Sequence, residues 1–207
     1  MRKLMSVVVL LLLCLDATAG FAAGGPIGID HEWSLDQSGI WSRPTQISLE
    51  YAVVGIEAGS ALWLGNDNKL GHTFWQAIDS TAISSASAAA LKLAFSRSRP
   101  KQQHDPDKWF QGSGNESFPS GEVTLQASFV TPFIVNYSKD HPWVWSLELL
   151  PLYDSIARMK SQAHWQTDVI AGWLLGTAIG YWSTTRNTPI SVQVLPDGLS
   201  VGISRRF

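Results

Sequence analysis

Residues 158–168 read RMKSQAHWQTD and place an arginine, a histidine and an aspartate at Arg158, His164 and Asp168. His164 and Asp168 are four positions apart, so on a helix they would share one face. The carboxylate could then accept the Nδ1 proton and leave Nε2 free to attack phosphorus. Arg158 carries a planar guanidinium that can hold two phosphate oxygens at once. A histidine and aspartate pair alone is more often structural than catalytic, so its meaning depends on the rest of the chain.

Two further clusters contain groups that can bind an anion. Lys92 and Arg99 are seven positions apart, and we expect them to project from one face of a helix that Pro100 ends. Ser120 and Gly121 begin another predicted helix, where free backbone N–H groups and the helix dipole favour an oxyanion. Each cluster alone is common in proteins, and only the combination indicates a phosphate site.

Taken in order, the three clusters resemble the three-part signature of the type 2 phosphatidic-acid phosphatase (PAP2) and vanadium haloperoxidase superfamily. The matching positions are Lys92, Arg99, Pro100, Pro119, Ser120, Gly121, Arg158, His164 and Asp168. Two positions depart from the pattern: Ala157 stands where a serine is usual, and Glu122 stands where most members have a histidine. The resemblance covers residues 92–168 and, with the flanking helices, extends from Thr45 to Trp182.

The resemblance implies a metal-independent phosphatase with a histidine nucleophile, and it implies no cofactor. The groups expected to hold the phosphate oxygens are the side chains of Lys92, Arg99 and Arg158, the Ser120 hydroxyl and the Gly121 backbone N–H. His164 would form a phosphohistidine that water then hydrolyses, while Asp168 would orient the imidazole and stabilise its positive charge. Phosphate monoesters and lipid phosphates or diphosphates are the substrates that this chemistry predicts.

Glu122 is the candidate for the general acid, because it occupies the position of the family's second-motif histidine, which protonates the leaving oxygen. We therefore hypothesise that Glu122 donates this proton and that activity is favoured at mildly acidic pH. Two alternatives stay open. His104, in the loop between the first two motifs, could supply the proton, or Glu122 could only pair with a motif arginine in a protein that has lost activity.

Hydrophobic periodicity predicts an all-α fold with a short C-terminal β-hairpin, and the resemblance implies a helical bundle of the PAP2 and acid phosphatase type. The predicted helices cover residues 45–64, 71–99, 120–135, 143–158 and 164–182. Gly172, Gly176 and Gly180 recur at spacing four in the last helix and allow a neighbouring helix to approach closely. After residue 189 the apolar residues alternate with polar ones around Asp197, which is typical of a hairpin.

The N-terminus predicts export. Arg2 and Lys3 precede an apolar run that is too short to span a bilayer, and small residues follow it, as in a secretory signal peptide. We expect a periplasmic mature protein without a disulfide, because Cys14, the only cysteine, lies in the signal. The predicted organisation is a signal peptide at 1–23, an N-terminal arm at 24–44 with little chemistry, the phosphatase domain at 45–186 and the hairpin at 187–207.

The composition excludes one class of partner and leaves others open. A formal net charge of -2 provides no broad positive field for nucleic acid, so no nucleic-acid partner is expected. The 10 tryptophans fit core packing and also a membrane interface, so peripheral membrane contact stays open. The oligomeric state and the choice between a lipid and a soluble phosphate ester are not specified. Two other functions stay open: a catalytically impaired phosphate-lipid binding or envelope protein, and a vanadium-dependent haloperoxidase.

Overall fold

The computed structural model describes residues 24–186 and the two C-terminal strands, and the predicted signal peptide at 1–23 lies outside the described residues. Five α-helices make up the described bundle: α1 (Arg43–Leu64), α2 (Lys69–Phe95), α3 (Gly121–Tyr137), α4 (Leu149–Lys160) and α5 (Gln166–Thr184). Strand β1 (Ile190–Leu195) pairs antiparallel with β2 (Gly198–Ile203). The predicted all-α class with a terminal hairpin is confirmed, whereas the hairpin turn at Asp197 lies outside the described residues.

Helix α3 lies at the centre of the bundle and is buried on all sides from residue 123 to residue 134. Phe129 and Phe133 belong to a core cluster shared with α1 and α2, where Phe74 meets Phe133 edge-on at 4.8 Å between ring centroids. On its other side, Val123 packs in a second cluster with Trp173 of α5. Because α3 has no charged side chain between residues 123 and 134, the other helices can surround it, and its N-terminus opens at one end of the bundle.

Helix α5 packs closely against α3 because of the predicted glycine stripe. A Cβ atom added at Gly172 would lie 2.6 Å from the carbonyl oxygen of Ser120, and one added at Gly176 would lie 2.3 Å from that of Thr124. Both distances are shorter than any real contact, so only glycine allows this approach. The backbone N–H of Ser120 donates to the carbonyl of Asp168 at 3.0 Å, which ties the first turns of the two helices together.

Helix α2 ends four residues earlier than predicted. Ser96 adopts left-handed backbone angles (φ 38°, ψ 50°) after Phe95, so the chain turns out of the helix there. The turn directs the following side chain, Arg97, into the protein interior, where it is fully buried. The prediction that Lys92 and Arg99 share a helix face is therefore wrong. Lys92 projects from α2, and Arg99 reaches the same cavity from the loop that follows.

The segment before α4 also differs from the prediction. A single helix was expected over residues 143–158, but the chain forms a 3-10 helix, Pro142–Glu148, before α4 begins at Leu149. Pro142 occupies the first turn, where its missing N–H is tolerated. The 3-10 helix packs its Val144 into the core cluster around Phe133.

Helix α1 buries polar side chains and exposes apolar ones. Gln46 and Glu57 are buried, whereas Tyr51, Leu62 and Trp63 are 73%, 75% and 89% exposed. Val53 and Ala61 are buried as well, but so much exposed apolar surface is unusual for an amphipathic helix of a water-soluble protein. Among the residues that the structure describes, α1 is the one helix whose length and composition would allow it to cross a membrane.

Candidate active site

A polar cavity of about 500 Å³ lies where helices α1 to α4 meet. Six of the predicted site residues line it: Lys92, Arg99, Gly121, Glu122, Arg158 and His164. Ser120 and Asp168 are fully buried beside it, at the N-terminus of α3 and in the first turn of α5. Three segments that are distant in the sequence thus contribute to one cavity.

Lys92 and Arg99 are held by the same backbone carbonyl. The Lys92 Nζ donates to the Glu116 carbonyl oxygen at 2.8 Å, and the Arg99 Nη2 donates to it at 3.3 Å. Burial, and then the charge of Arg99, lowers the pKa of Lys92 to about 8. Burial also lowers the pKa of Arg99. Two desolvated cations side by side repel each other, so an anion bound between them would stabilise the site.

His164 is buried, and its Nε2 makes no hydrogen bond to any residue in the described part of the chain. Its Nδ1 lies 2.6 Å from the carbonyl oxygen of Ser117, which can only accept, so Nδ1 carries the proton and Nε2 keeps its lone pair. Burial, followed by the charges of Lys92, Arg158 and Arg99, lowers the pKa of His164 well below its ordinary value. The imidazole is therefore neutral near pH 7, which is the state that a nucleophile requires.

Asp168 does not bond to His164 directly, in contrast to the predicted geometry. The His164 Nδ1 lies 3.8 Å from the Asp168 Oδ2, which instead accepts from the Ser117 Oγ at 2.5 Å. The helix α5 begins two residues after His164, so the two side chains do not share a helix face. Burial raises the pKa of Asp168, and the facing Arg97 opposes that rise. Asp168 is therefore linked to the imidazole through Ser117: the Ser117 hydroxyl donates to Asp168, and the Ser117 carbonyl accepts a hydrogen bond from the His164 Nδ1.

A buried ion-pair network beneath the cavity was not predicted. The Arg97 guanidinium donates to the Asp30 Oδ2 at 2.6 Å and to the Asp168 Oδ1 at 2.5 Å, and it lies 4.4 Å from the Trp109 ring centroid. Asp30 also accepts from the backbone N–H of Thr167 at 2.8 Å. The sequence does contain an arginine within the first motif, but nothing in its spacing links it to an aspartate in the N-terminal arm.

Two residues of α1 were also missed: Arg43 at the cavity mouth and the buried Gln46 beside it. Both carboxylate oxygens of Glu122 accept from the Arg43 Nη1, at 2.7 and 2.9 Å, and the Arg158 Nη1 lies 3.5 Å from the Glu122 Oε1. The side-chain oxygen of Gln46 accepts from Arg158 at 2.9 Å and from Arg43 at 3.4 Å. Each arginine therefore contacts the same glutamate and the same glutamine. The arm at 24–44, expected to carry little chemistry, supplies a residue to this cavity.

Ser120 and Gly121 form the N-terminus of α3 at the cavity. Ser120 is the N-cap residue, yet its Oγ is buried without a hydrogen-bond partner in the part of the chain that the structure describes. The Lys92 Cε would lie 3.5 Å from a Cβ at Gly121, which places the lysine beside this helix terminus. A phosphate oxygen here would meet a hydroxyl, free backbone N–H groups and a cation together.

The alternative acid, His104, lies away from the cavity. Its side chain is 79% exposed and its Nδ1 contacts the Glu32 carboxylate. Within the described ranges, no three side chains of His, Cys, Asp or Glu group together as metal ligands would. The roles of the site residues and metal independence stay predictions.

Comparisons with known proteins agree with this architecture. The chain is 34% identical to an undecaprenyl-diphosphatase of Sulfolobus acidocaldarius over 68 residues, which are 32% of this chain and 32% of that protein, so the match spans about a third of the relative. It is also similar in fold to the crystal structure of Aquifex aeolicus LpxE, with a TM-score of 0.50, 19% identity, and coverage of 68% of this chain and 84% of that one. The PAP2 superfamily model matches residues 73–189, which include all three motifs and more than half of the chain. The chain therefore belongs to the PAP2 superfamily.

Proposed function

We propose that this protein is a phosphatase that removes phosphate from a lipid phosphate or diphosphate through a phosphohistidine intermediate. The observation that carries the proposal is the cavity in which a neutral His164, with a free Nε2, lies among three cations, Lys92, Arg99 and Arg158. Phosphoryl transfer relies mainly on positioning and on stabilisation of the charge on the phosphoryl oxygens. A buried cationic cavity with a nucleophile in its wall supplies both.

In the proposed reaction the His164 Nε2 attacks phosphorus, an N–P bond forms, and the P–O bond to the leaving group breaks. The imidazole becomes positively charged, and Asp168, whose carboxylate lies 3.8 Å from Nδ1, stabilises that charge. Water then attacks the phosphohistidine, which releases phosphate and restores the neutral imidazole. The motif position of Glu122 predicts a general acid, whereas the two hydrogen bonds that its carboxylate accepts from Arg43 favour a role in positioning that arginine.

An apolar groove supports a substrate with a hydrocarbon chain. The groove has a volume of about 610 Å³ and is bounded by α1, α2, α3 and the 3-10 helix before α4. Leu125 lines the polar cavity, and Phe129 and Phe133, one and two turns further along α3, line the groove. A chain attached to a phosphate in the cavity can therefore extend along α3 into apolar surroundings.

The exposed face of α1 supports contact with a lipid bilayer. Ile56 and Trp63 of α1 are 58% and 89% exposed, and Trp143, at the other side of the groove, is 69% exposed. Tryptophan is favoured at the headgroup layer because its ring is apolar and its N–H is polar. We infer that this face lies against the membrane, with the groove open to lipid and the mature protein on the periplasmic side.

The test is release of inorganic phosphate from farnesyl phosphate and farnesyl diphosphate presented in detergent micelles. We expect His164→Ala to lower the rate by at least about 10³-fold, because the nucleophile is lost. His104→Ala, which changes an exposed histidine outside the cavity, is the matched control and should retain the wild-type rate. If His164→Ala retains activity, or if the wild type releases no phosphate at any pH, the proposed function is wrong.

A further inference from the structure

The polar cavity contains more positive charge than the three motif cations provide. Arg43 and Lys101 also line it, together with two carboxylates, Glu50 and Glu122. Burial, followed by the charges of Arg99, Arg158 and Arg43, lowers the pKa of Lys101, so the two carboxylates offset the five cations of the cavity only in part. A ligand with more than one anionic group would offset the remaining positive charge better than a single phosphate.

Arg43 is held in place from two sides. Glu122 accepts two hydrogen bonds from its Nη1, and Gln46, which is 1% exposed, contacts the same nitrogen. Gln46 is itself fixed, because its side-chain nitrogen donates to the Trp41 carbonyl at 2.8 Å. The Nε and Nη2 of Arg43 make no hydrogen bond to any residue in the described ranges. The guanidinium is therefore anchored at one nitrogen, Nη1, and its other donors are available to a ligand.

Arg43 lies on the side of the cavity where a leaving group would depart. The His164 side chain is 3% exposed and forms the floor, whereas the Arg43 side chain is 46% exposed and lies at the mouth. In-line displacement places the leaving oxygen opposite the attacking nitrogen. Attack from the floor therefore sends the leaving group towards the mouth and Arg43.

Lipid monophosphates and lipid diphosphates differ in the leaving group that phosphoryl transfer releases. A phosphate monoester would release an alkoxide, which is about as basic as hydroxide, so it needs a proton donor. A diphosphate releases a phosphate monoester, whose second pKa is about 6, so it can leave as an anion that a cation stabilises. The structure has a fixed arginine at this place, and the nearby carboxylate of Glu122 accepts hydrogen bonds from it.

We propose that the protein cleaves the phosphoanhydride bond of a lipid diphosphate, with Arg43 binding the inner phosphate and with Glu122 and Gln46 positioning Arg43. The inference rests on the proposed phosphatase function. The His164 Nε2 bonds to the outer phosphorus, and the electron pair of the broken P–O bond stays on the bridging oxygen of the lipid monophosphate. Water then supplies a hydroxyl group to the phosphohistidine phosphorus, its second proton goes to solvent, and the products are lipid monophosphate and inorganic phosphate.

Arg43 and Gln46 precede residue 73, where the match to the family model begins. Because Arg43 lies at the cavity mouth, on the side where the leaving group would depart, it is expected to determine substrate preference rather than the reaction itself. The test compares kcat/KM for farnesyl diphosphate and farnesyl phosphate, which differ by one phosphate and share the same hydrocarbon chain. Arg43→Gln removes the guanidinium, Arg43→Lys keeps the charge without the planar fork, and Lys139→Gln removes an exposed charge elsewhere as the control.

We expect the wild type to prefer the diphosphate by at least about tenfold, and Arg43→Gln to lower its kcat/KM by about 10- to 100-fold. The value for the monophosphate should fall by a clearly smaller factor, and Arg43→Lys should recover part of the loss. Glu122→Gln should resemble a weaker Arg43→Gln, with an unchanged pH profile. Lys139→Gln should match the wild type.

Three outcomes would overturn the inference: preference of the wild type for the monophosphate, an equal loss for both substrates in Arg43→Gln, or loss of monophosphate hydrolysis alone in Glu122→Gln. The last result would identify Glu122 as the general acid for an alkoxide. These outcomes are distinct from failure of the proposed function, in which His164→Ala leaves phosphate release intact. Thermal melting of each variant establishes that it is folded.

Discussion

Arg97 and Arg99 are two positions apart in the chain, yet Arg97 lies in the protein interior and Arg99 lies in the wall of the polar cavity. Arg97 is fully buried and lies between two fully buried carboxylates, Asp30 and Asp168. Arg99 lines the cavity and contacts only backbone carbonyls, at 3.3 and 3.5 Å. We therefore predict that Arg97→Met destabilises the fold, whereas Arg99→Met removes activity and leaves the fold intact.

The expected loss of stability in Arg97→Met can be estimated from the buried charges that it leaves unpaired. Removing one partner of a buried ion pair costs about 3–5 kcal/mol of folding free energy, out of a total of about 5–15 kcal/mol. For a chain of this size each kcal/mol corresponds to about 2–4 °C in Tm, so Arg97→Met should lower Tm by about 6–20 °C. Without Arg97 the pKa of Asp168, already raised by burial, rises further. The folded state then binds a proton that the unfolded state lacks, so the loss of stability is largest near pH 7 and shrinks as the pH falls.

The assay is thermal melting followed by circular dichroism at pH 5 and pH 7, together with phosphate release by the same preparations. Arg99→Met should melt within about 3 °C of the wild type, because its hydrogen bonds are long and its removal relieves repulsion with Lys92. Its phosphate release should fall by at least about 10²-fold. Equal losses of Tm in the two variants, or a Tm of Arg97→Met that matches the wild type, would refute this account of the buried network.

Three other predictions concern pH, packing and the lipid chain. Because the pKa of Lys92 is about 8, kcat/KM should fall as the pH rises through that value and the lysine loses its charge, and Lys92→Arg should move this limb to higher pH in a pH–rate profile. Gly176→Ala should lower stability by about 1–3 kcal/mol in denaturant titrations, since its Cβ would lie 2.3 Å from the Thr124 carbonyl oxygen. The matched control Gly59→Ala, with nothing within 4 Å in a helix, should stabilise slightly. Ile56→Asp at the apolar groove should raise KM for a long-chain lipid phosphate and leave KM for a short-chain ester unchanged; equal effects on both would contradict the groove as the chain site.

The sequence alone was sufficient for the helical class and for six of the residues that line the cavity. Hydrophobic periodicity depends on which face of a helix is buried, so it can be read from neighbouring residues. The glycine stripe that includes Gly172 and Gly176 is similarly local, and it correctly predicted close packing of α5. Lys92, Arg99 and His164 were grouped because three clusters with anion-binding chemistry occur in the order of a known signature. Each of these inferences needs only residue types and their spacing.

Helix ends were less predictable than helix positions. The proline at position 100 indicated where α2 must have ended, but the left-handed conformation of Ser96 ended it sooner. Serine adopts this conformation where its surroundings stabilise it, and here the next residue, Arg97, is anchored by carboxylates from other segments. The error therefore arose from a tertiary contact that overrides local preference.

Tertiary structure alone determined which charged side chains form ion pairs with each other. Arg43 and Glu122 are 79 positions apart, and Arg97 and Asp30 are 67 apart, so no local pattern pairs them. The His164 Nδ1 bonds to a backbone carbonyl, and every residue has one, so the sequence could not identify this acceptor. Residue types along the chain thus established which chemistry is available, whereas the packing of distant segments decided which acid faces which base and which nitrogen of the histidine is free.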